Sequence, residues 1–545
     1  MSTSSNNLNE VFSIHAMAQQ APSLVPPRQP GITPDSAKAI LELLEDNHRK
    51  RHIFFNDKKF HKYVVYVCQS AGLRLIRIHH DSHAAHHILA IFAMGADREL
   101  LNVAYKTHTV YQRPSFDSPG PIDEKNWKEH IGDERYYQAY VSFFEEQILK
   151  TGVSNVFEHY ILSKDANLVP AAKSGEAPHM LSRFLGGFLH SQIHAGYGAE
   201  FGVVGMWAEG FAEACLDNSN PPNLLPASLF EAKAGGPSLV SQFAKLAVSS
   251  IKASDRPASH ALSILGRMLS DPSFAPSSIG IPGVDGVYAD LRRIADVVGD
   301  KLKAYSDEWV VEPTKQSLEE RTAELIWMNV LMYAVAGYAG REDGDDEKKE
   351  FRADFYLMHL VTSVLFLPAL IEYLPLERGV ALVRAYFLTT LMFYIVRGRP
   401  QLPIADFYKG TSATVVPPGP QPTPSGNFSK SATAASVTPE ADKVPAAWAP
   451  ATKIITPNPW HAILQTTLVH PNEHLCKLQR ALAHFSACFG TTPPGTFASL
   501  SGPGLDGIEL LDGTLFVRAA GLTANRLGWM REGQDGRSFD MKPFF

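Results

Sequence analysis

Apolar residues recur at the spacing of one helix face along most of this chain, and this periodicity constrains the fold more than any other feature. In Asp35–His48, apolar side chains stand three and four positions apart, behind Asp35 or Ser36 as an N-cap. In Asp133–Lys150 a similar stripe has acidic residues early and a lysine late, and Gly152 follows as a stop signal. The pattern also marks Leu181–His194, Trp207–Cys215, Leu318–Tyr338, Ala353–Tyr373, Val380–Val396 and His461–Phe489. The sequence therefore predicts a mainly α fold, one large helical domain with inserted loops.

Strand-like alternation is scarce, and Thr514–Arg518 is the best short example. Few segments of the chain could therefore form the strands of a nucleotide-binding sheet. Gly196, Gly198 and Gly202 have a GxGxxxG spacing, but a phosphate-binding glycine turn follows a buried strand, and the residues before Gly196 are helical in pattern. We therefore expect no dinucleotide-binding fold and no flavin.

Shifts in composition predict the domain organisation. A Ser-, Asn-, Gln- and Pro-rich start predicts a flexible tail over residues 1–32, and residues 33–409 are expected to form the main helical domain, which would carry the catalytic residues. Residues 410–457 are rich in Pro, Ser, Thr and Ala and cannot bury enough apolar surface to become ordered, so we expect a disordered excursion. Residues 458–545 are predicted to be a C-terminal helical segment that packs on the same domain.

Composition limits the partners of the chain. A formal net charge of −6 and the absence of a basic patch argue against nucleic acid as a partner. Three apolar segments, Leu325–Tyr338, Phe355–Leu376 and Gly379–Val396, are interrupted by polar or ionisable residues, so we expect buried helices rather than membrane spans. The N-terminus shows no secretory signal, and the four scattered cysteines are too few for a disulfide framework, which predicts a cytoplasmic protein.

Histidine carries the clearest chemical signal, because several imidazoles fall on predicted apolar helices. His83, His86 and His87 stand at i, i+3 and i+4, so one helix face can present two of them to a metal. His190 and His194 repeat that spacing. His359 lies alone in an apolar helix, where an ionisable group is costly unless it is neutral and bonded. In helical metalloproteins, side chains that point inwards from facing helices bind the metal. Ligation by imidazoles suits iron, copper or zinc.

Several sequence blocks together resemble the questin oxidase-like family of fungal tailoring enzymes. The blocks are HHILAIFAMGA from His86, YQRP from Tyr111, NWKEHIGDERYY from Asn126, HSQIHAGYGAEFG from His190, FYLMHLVTS from Phe355, RGRPQL from Arg397, and NPWHAIL with LDGTLFVRAAGLT near the C-terminus. They span most of the chain, and they leave out the N-terminal tail and the Pro-rich excursion.

The resemblance implies oxygen-dependent cleavage of an anthraquinone-type polyketide ring to a benzophenone acid. Family members are described as NADPH-requiring Baeyer–Villiger oxidases and also as mononuclear non-haem iron oxygenases, and the lack of a nucleotide fold favours iron(II). The small molecules expected are therefore an aromatic polyketide and dioxygen, with NADPH as an alternative co-substrate. A non-catalytic polyketide-binding protein is the remaining alternative.

Carried over by matching blocks, the implied metal ligands are His83, His87, His194 and His359. His61, His86 and His190 are the alternates.

The resemblance also implies that a carboxylate or a carbamylated lysine completes the site in some relatives. The stretch after His359 offers Glu372 and Glu377 but no lysine. Tyr197, Glu200 and Arg384 are the candidates for handling protons or orienting phenols.

One segment departs from the family pattern, a compact Phe-His-Asn-His run followed by a His-His pair. Here Phe60 and His61 are separated from His83 by residues 62–82, an insertion of 82 − 62 + 1 = 21 residues. Our hypothesis is that this insertion is a translated intron, because the codons of Lys-Tyr-Val at its start can contain a GTATGT donor site. If it is real, His61 is either displaced from the metal site or loops back to it.

Overall fold

The computed structural model of the protein describes residues 26–55, 83–231, 259–283, 286–343, 349–420 and 458–545. The predictions for His61, for the insertion 62–82 and for most of the tail 1–32 and the excursion 410–457 lie outside these residues.

Helices dominate the described residues, and the predicted mainly α fold is confirmed. In the first half they are α1 (Pro34–Lys50), α2 (Ala84–Ala93), α3 (Arg98–Thr109), α4 (Tyr137–Thr151), α5 (Val153–Phe157), α6 (Lys164–Leu168), α7 (Met180–Phe184), α8 (His190–Phe201), α9 (Val204–Leu216) and α10 (Ala261–Ser270). In the second half they are α11 (Pro276–Ile279), α12 (Val287–Asp307), α13 (Lys315–Ala339), α14 (Phe355–Val364), α15 (Leu367–Ile371), α16 (Leu376–Val396), α17 (Ile404–Gly410), α18 (Pro459–Leu468), α19 (Glu473–Phe489) and α20 (Leu515–Leu527).

The strands within the described ranges form two short antiparallel pairs. One joins β1 (Arg51–Phe55) to β2 (Gln112–Pro114), and the other joins β3 (Glu342–Asp343) to β4 (Lys349–Glu350). The strand-like reading of Thr514–Arg518 was wrong, because Leu515 begins α20 there. The apolar residues of α20 continue at helical spacing through Ala519, Ala520 and Ala524, so burial of one helix face outweighs a short alternation.

The predicted helix Leu181–His194 is interrupted by a left-handed stretch. Gly187, Phe188 and Leu189 have φ of 51°, 57° and 71°, and this stretch separates α7, which ends at Phe184, from α8, which begins at His190. Such backbone is costly for Phe and Leu, and both side chains are buried, so packing holds it in place. A Cβ on Gly187 would lie 1.8 Å from the Asp217 carboxylate, so glycine is required there.

The glycines of α8 let neighbouring segments approach closely. A Cβ on Gly196 would lie 2.4 Å from Phe366, and one on Gly198 would lie 2.9 Å from the backbone nitrogen of Trp207. These glycines lie inside a buried helix, so their spacing serves helix packing.

One helix in the described ranges, α16, is long and apolar enough to cross a bilayer by length and composition alone, and its apolar window is wholly buried in protein.

A buried ion pair ties the C-terminal tail to the helical core. The Arg397 guanidinium lies 2.5 Å from Oδ2 of Asp354 and also donates to the carbonyl oxygens of Met541 and Lys542. Asp354 is the N-cap of α14 and accepts from the backbone of Tyr356 and Leu357. One carboxylate therefore begins the helix that carries His359 and also compensates a buried cation.

We expect Asp354→Ala to lower the free energy of unfolding by about 3–5 kcal/mol, because it removes the cap and leaves Arg397 buried without its carboxylate. Urea denaturation followed by circular dichroism measures the change. Asp406→Ala, in the exposed first turn of α17, is the matched control and should stay within about 0.5 kcal/mol of the parent. Equal losses in both variants would contradict this account.

Candidate metal centre

Four buried histidines from four separate segments converge in the core. Candidate ligand atoms of His83, His190, His359 and His474 all lie within 4.8 Å of one another, and we call this set the four-histidine cluster. His83 immediately precedes α2, His190 begins α8, His359 lies in α14 and His474 lies in the first turn of α19. Their exposed fractions are 6% or less. Helices distant in sequence thus deliver imidazoles to one point.

Backbone carbonyls fix the orientation of two of these rings. Nδ1 of His190 donates to the Gly187 carbonyl at 2.5 Å, and Nδ1 of His359 donates to the Phe355 carbonyl at 2.7 Å. A neutral imidazole that donates from Nδ1 carries its lone pair on Nε2. The Nε2 of His190 lies 2.8 Å from Nε2 of His83, and the Nε2 of His359 is buried without a hydrogen-bond partner. The hydrogen bond that each ring donates from Nδ1 therefore leaves Nε2 as the atom that can bind a metal.

Burial keeps the cluster neutral. Desolvation lowers the pKa of His190 to about 3 and that of His474 to about 4, and it lowers the pKa of His83 and His359 well below the usual value. The rings also lower one another's pKa, because two imidazolium ions this close would repel. At neutral pH all four rings are uncharged, the state in which imidazole binds a metal.

Two charged side chains of α19 border the cluster. Oε1 of Glu473 lies 3.3 Å from Nδ1 of His474 and 3.8 Å from Nδ1 of His83. Burial raises the pKa of Glu473, but the interaction with His474 outweighs it and the net pKa is lowered, so the carboxylate is ionised. Lys477 follows one turn later, is 2% exposed, and its charge contributes to lowering the pKa of all four imidazoles.

Of the four ligands implied by the family resemblance, the structure places His83 and His359 in the cluster, together with the alternate His190. His87 lies outside it: its Nδ1 is 2.9 Å from Nε2 of His108, which in turn contacts Tyr111. His194 also lies outside it, one turn beyond His190.

His474 was missed by the sequence analysis. The signal was available, since His470 and His474 repeat the i, i+4 spacing inside the predicted window His461–Phe489. Lys477 was also missed, because only the stretch after His359 was searched for a lysine. The helix that supplies both residues lies more than 100 positions further along the chain.

The other predicted residues have different surroundings. The ring of Tyr197 stacks on His86, with centroids 5.3 Å apart, and Glu200 pairs with the buried guanidinium of Arg480. Arg384 pairs with the exposed Asp307, because its position on α16 faces α12. Glu372 is exposed and lies 3.7 Å from Lys315, and neither it nor Glu377 belongs to the cluster.

A second buried chain of hydrogen bonds begins beside the cluster, and we call it the His86–Glu145 chain. Nε2 of His86 lies 3.1 Å from Nδ1 of His194, and Nε2 of His194 lies 2.7 Å from Glu209. The other oxygen of Glu209 lies 2.6 Å from Nδ1 of His48, whose Nε2 lies 2.8 Å from Glu145. The Glu145 side chain is 18% exposed and those of His48, Glu209 and His194 are 4% or less, so the chain runs from the core towards the surface.

The charges of this chain differ from those of the cluster. Burial lowers the pKa of His48, but Glu145 and Glu209 outweigh burial and raise it to about 10. Burial raises the pKa of Glu209, but hydrogen bonds from His194 and His48 lower it to about 2. At neutral pH, His48 is therefore an imidazolium and Glu209 a carboxylate.

Comparison with known proteins points to one enzyme family. A sequence profile described as questin oxidase-like matches residues 80–482, which include the whole cluster. A Baeyer-Villiger oxidase from Pestalotiopsis microspora is 27% identical over 68% of this chain and 73% of its own length. Oxidoreductase AflY from Aspergillus parasiticus is 24% identical over 67% of this chain and 64% of its own length. A Baeyer-Villiger oxidase from Paecilomyces divaricatus is 25% identical over 68% of this chain and 69% of its own length.

We expect His359→Ala and His474→Ala to lose a divalent metal that the parent retains after desalting, because each removes a neutral donor from the cluster. Plasma mass spectrometry of protein loaded anaerobically with Fe(II) measures the retained metal. His87→Ala is the matched control, since His87 is equally buried but pairs with His108, and it should retain the metal. Loss in His87→Ala with retention in His474→Ala would reverse the assignment.

We expect His48 to stabilise the fold at acid and neutral pH and to lose that effect in alkali. Its folded pKa of about 10 lies above the unfolded value of 6.5, so its contribution is complete below pH 6.5 and is lost as the pH rises through 10. The difference in unfolding free energy between the parent and His48→Gln should therefore shrink from pH 6 to pH 10. Urea denaturation across that range measures it, and a constant difference would contradict the charged pair.

Proposed function

The chain belongs to the questin oxidase-like family and is an oxidoreductase, and from that premise we propose that it uses dioxygen to cleave a ring of a hydroxylated anthraquinone-type polyketide at a non-haem iron(II) centre. The observation that carries the proposal is the four-histidine cluster. The Baeyer-Villiger names of its relatives describe insertion of oxygen beside a carbonyl, and an anthraquinone offers two carbonyls in its central ring.

The cluster fits a divalent metal in donor type and in size. Two metal–nitrogen bonds of about 2.1 Å place opposite ligand atoms about 4.2 Å apart, and the candidate atoms here lie within 4.8 Å. The buried Nε2 atoms of His359 and His474 have no hydrogen-bond partner, which is costly unless a ligand satisfies them. His83, His190, His359 and His474 would therefore hold the metal, in place of the set implied by the family blocks.

Iron(II) in such a site would supply one-electron exchange with dioxygen and an open coordination position, and NADPH as co-substrate would supply the two electrons that the overall ring cleavage requires. The protein supplies the surroundings. Phe355 contacts both His359 and His474, with ring centroids 4.7 and 4.8 Å apart, and so excludes water from that side. The ionised Glu473 offsets part of the metal charge, which four neutral imidazoles leave uncompensated.

Lys477 is the lysine that would complete the site as a carbamate. After its ammonium loses one proton, the amine would form a C–N bond to carbon dioxide and release a second proton, which converts a cation into a carboxylate-like anion. A buried ammonium beside the imidazoles opposes a dication, whereas an anion at the same place binds it. This position on α19, one turn after Glu473, supports Lys477 over Glu372 and Glu377.

NADPH would act as a dissociable co-substrate, because the described strands form two-stranded pairs rather than a nucleotide-binding sheet. We propose the cytoplasm as the compartment, since the described cysteines Cys215, Cys476 and Cys488 are all free thiols.

We expect protein loaded with Fe(II) in bicarbonate buffer and supplied with NADPH to consume dioxygen when a hydroxylated anthraquinone is added, and the product to contain oxygen from ¹⁸O₂. An oxygen electrode and mass spectrometry of the product measure this. His359→Ala should abolish turnover and Lys477→Met should lower both iron retention and turnover, whereas His87→Ala should keep them.

The alternatives give different outcomes. Turnover with NADPH that survives rigorous chelation would support a metal-free Baeyer–Villiger oxidase. Tight anthraquinone binding with no turnover in air would support a polyketide-binding protein.

A further inference from the structure

The four-histidine cluster is enclosed, so a metal ion can reach it in the folded protein only if part of the structure moves. The exposed fractions of the four residues are 6% or less. All residues of α2 and α8 are buried, and those of α14 are buried except Phe355. Helices packed in this way open only at a free energy close to that of global unfolding. A less buried segment beside the cluster is therefore the better candidate for an opening.

Residues 531–545, which we call the C-terminal strap, are far less buried than those helices. Among the residues of the strap, all of which the structure describes, Phe539 alone has a buried side chain, with an exposed fraction of 6%. Its ring meets the ring of His474 edge to face, with centroids 6.2 Å apart. The strap thus inserts one side chain into the core, and that side chain covers a candidate metal ligand.

The backbone of the strap is bonded to the start of α14, the helix that carries His359. The amide of Phe355 donates to the carbonyl of Asp540 at 2.9 Å, and the amide of Asp540 donates to the carbonyl of Ala353 at 2.8 Å. Phe355 is also the residue whose ring contacts His474 at 4.8 Å. Docking of the strap on this segment therefore brings both aromatic rings, Phe355 and Phe539, against the same imidazole.

The other contacts that fasten the strap are polar, and several of them are partly exposed. Nη2 of Arg526 donates to Oδ1 of Asp540 at 2.6 Å, and these side chains are 19% and 22% exposed. Arg397 and Arg352 donate to backbone carbonyls of the strap between residues 541 and 543. Since water can replace such hydrogen bonds and a single apolar side chain must leave the core, local detachment costs far less than unfolding the helices.

We propose that the C-terminal strap is the gate of the candidate metal centre: its local detachment withdraws Phe539 from His474 and opens the route by which a divalent metal ion enters and leaves. The inference rests on the proposed function for the metal, whereas the opening of the strap does not depend on it. Phe539 is a positioning residue, because it binds no metal. In the docked state it restricts the ring of His474 and excludes water from it.

The first test measures the opening of the strap in the full, metal-free chain. Hydrogen exchange followed by mass spectrometry with residue-resolving fragmentation reports the amides of Asp540 and Phe544, which bond to Ala353 and Arg397. We expect these amides to exchange at least about tenfold faster than those inside α8 and α14. Arg526→Gln should speed their exchange further and leave the two helices unchanged. Exchange of strap and helices at one common rate would overturn the proposal whatever the protein catalyses.

The second test measures whether the opening admits the metal. Protein loaded with Fe(II) is mixed anaerobically with an excess of a chromogenic iron(II) chelator, and the absorbance gives the rate of iron release. We expect Phe539→Ala and Arg526→Gln each to release iron about tenfold faster than the parent, because one removes the cover from His474 and the other loosens the strap. Release at the rate of the parent in both variants would overturn the gate.

Two controls separate the gate from a general loss of stability. Phe497 is 8% exposed but packs on Trp327 rather than on a cluster histidine, and Arg49 pairs with Glu45 at the surface. We expect Phe497→Ala and Arg49→Gln to release iron at the rate of the parent. Equal acceleration by Phe497→Ala and Phe539→Ala would overturn the role of the strap. A parent that retains no iron overturns the proposed metal centre rather than the local opening, which the exchange measurement decides.

Discussion

Burial of uncharged imidazole is the constraint on which the rest of this structure depends. A histidine in an apolar core must give up its proton and find partners for two nitrogens. At His190 and His359 a carbonyl of the same segment accepts from Nδ1, so Nε2 carries the lone pair that can bind a metal. The left-handed turn at Gly187–Leu189 makes sense in these terms, because it brings the Gly187 carbonyl within 2.5 Å of the ring that starts α8.

Two histidine assemblies in one core therefore have opposite electrostatic character. Around the four-histidine cluster the rings face one another and Lys477, so they stay neutral. Around His48 the neighbours are Glu145 and Glu209, so the ring is charged. The carboxylates rather than burial decide the difference, since both sets of rings are desolvated. The same helices thus place neutral rings at the first assembly and an imidazolium at the second.

Much of the fold was predictable from the sequence, because α1 and α4 carry regular apolar stripes and α13 and α16 are long apolar segments. The break before His190 was not, since nothing local in Gly-Phe-Leu requires a left-handed turn, and packing against the rest of the core imposes it. The candidate site was half predictable. His83 and His359 lie on helices that could be recognised as buried, but only the tertiary fold distinguishes His190 from His194, which occupy the same helix one turn apart.

The four-histidine cluster spans 474 − 83 = 391 positions of the chain. On the ribosome, His190 is made 474 − 190 = 284 residues before His474, an interval of about 15–60 s at ordinary translation rates, and His83 is made earlier still. The nascent chain can offer a metal at most part of its coordination during that time. In the proposed iron centre, complete coordination would therefore follow the synthesis of α19, and a polypeptide cut short before α19 would lack the His474 ligand.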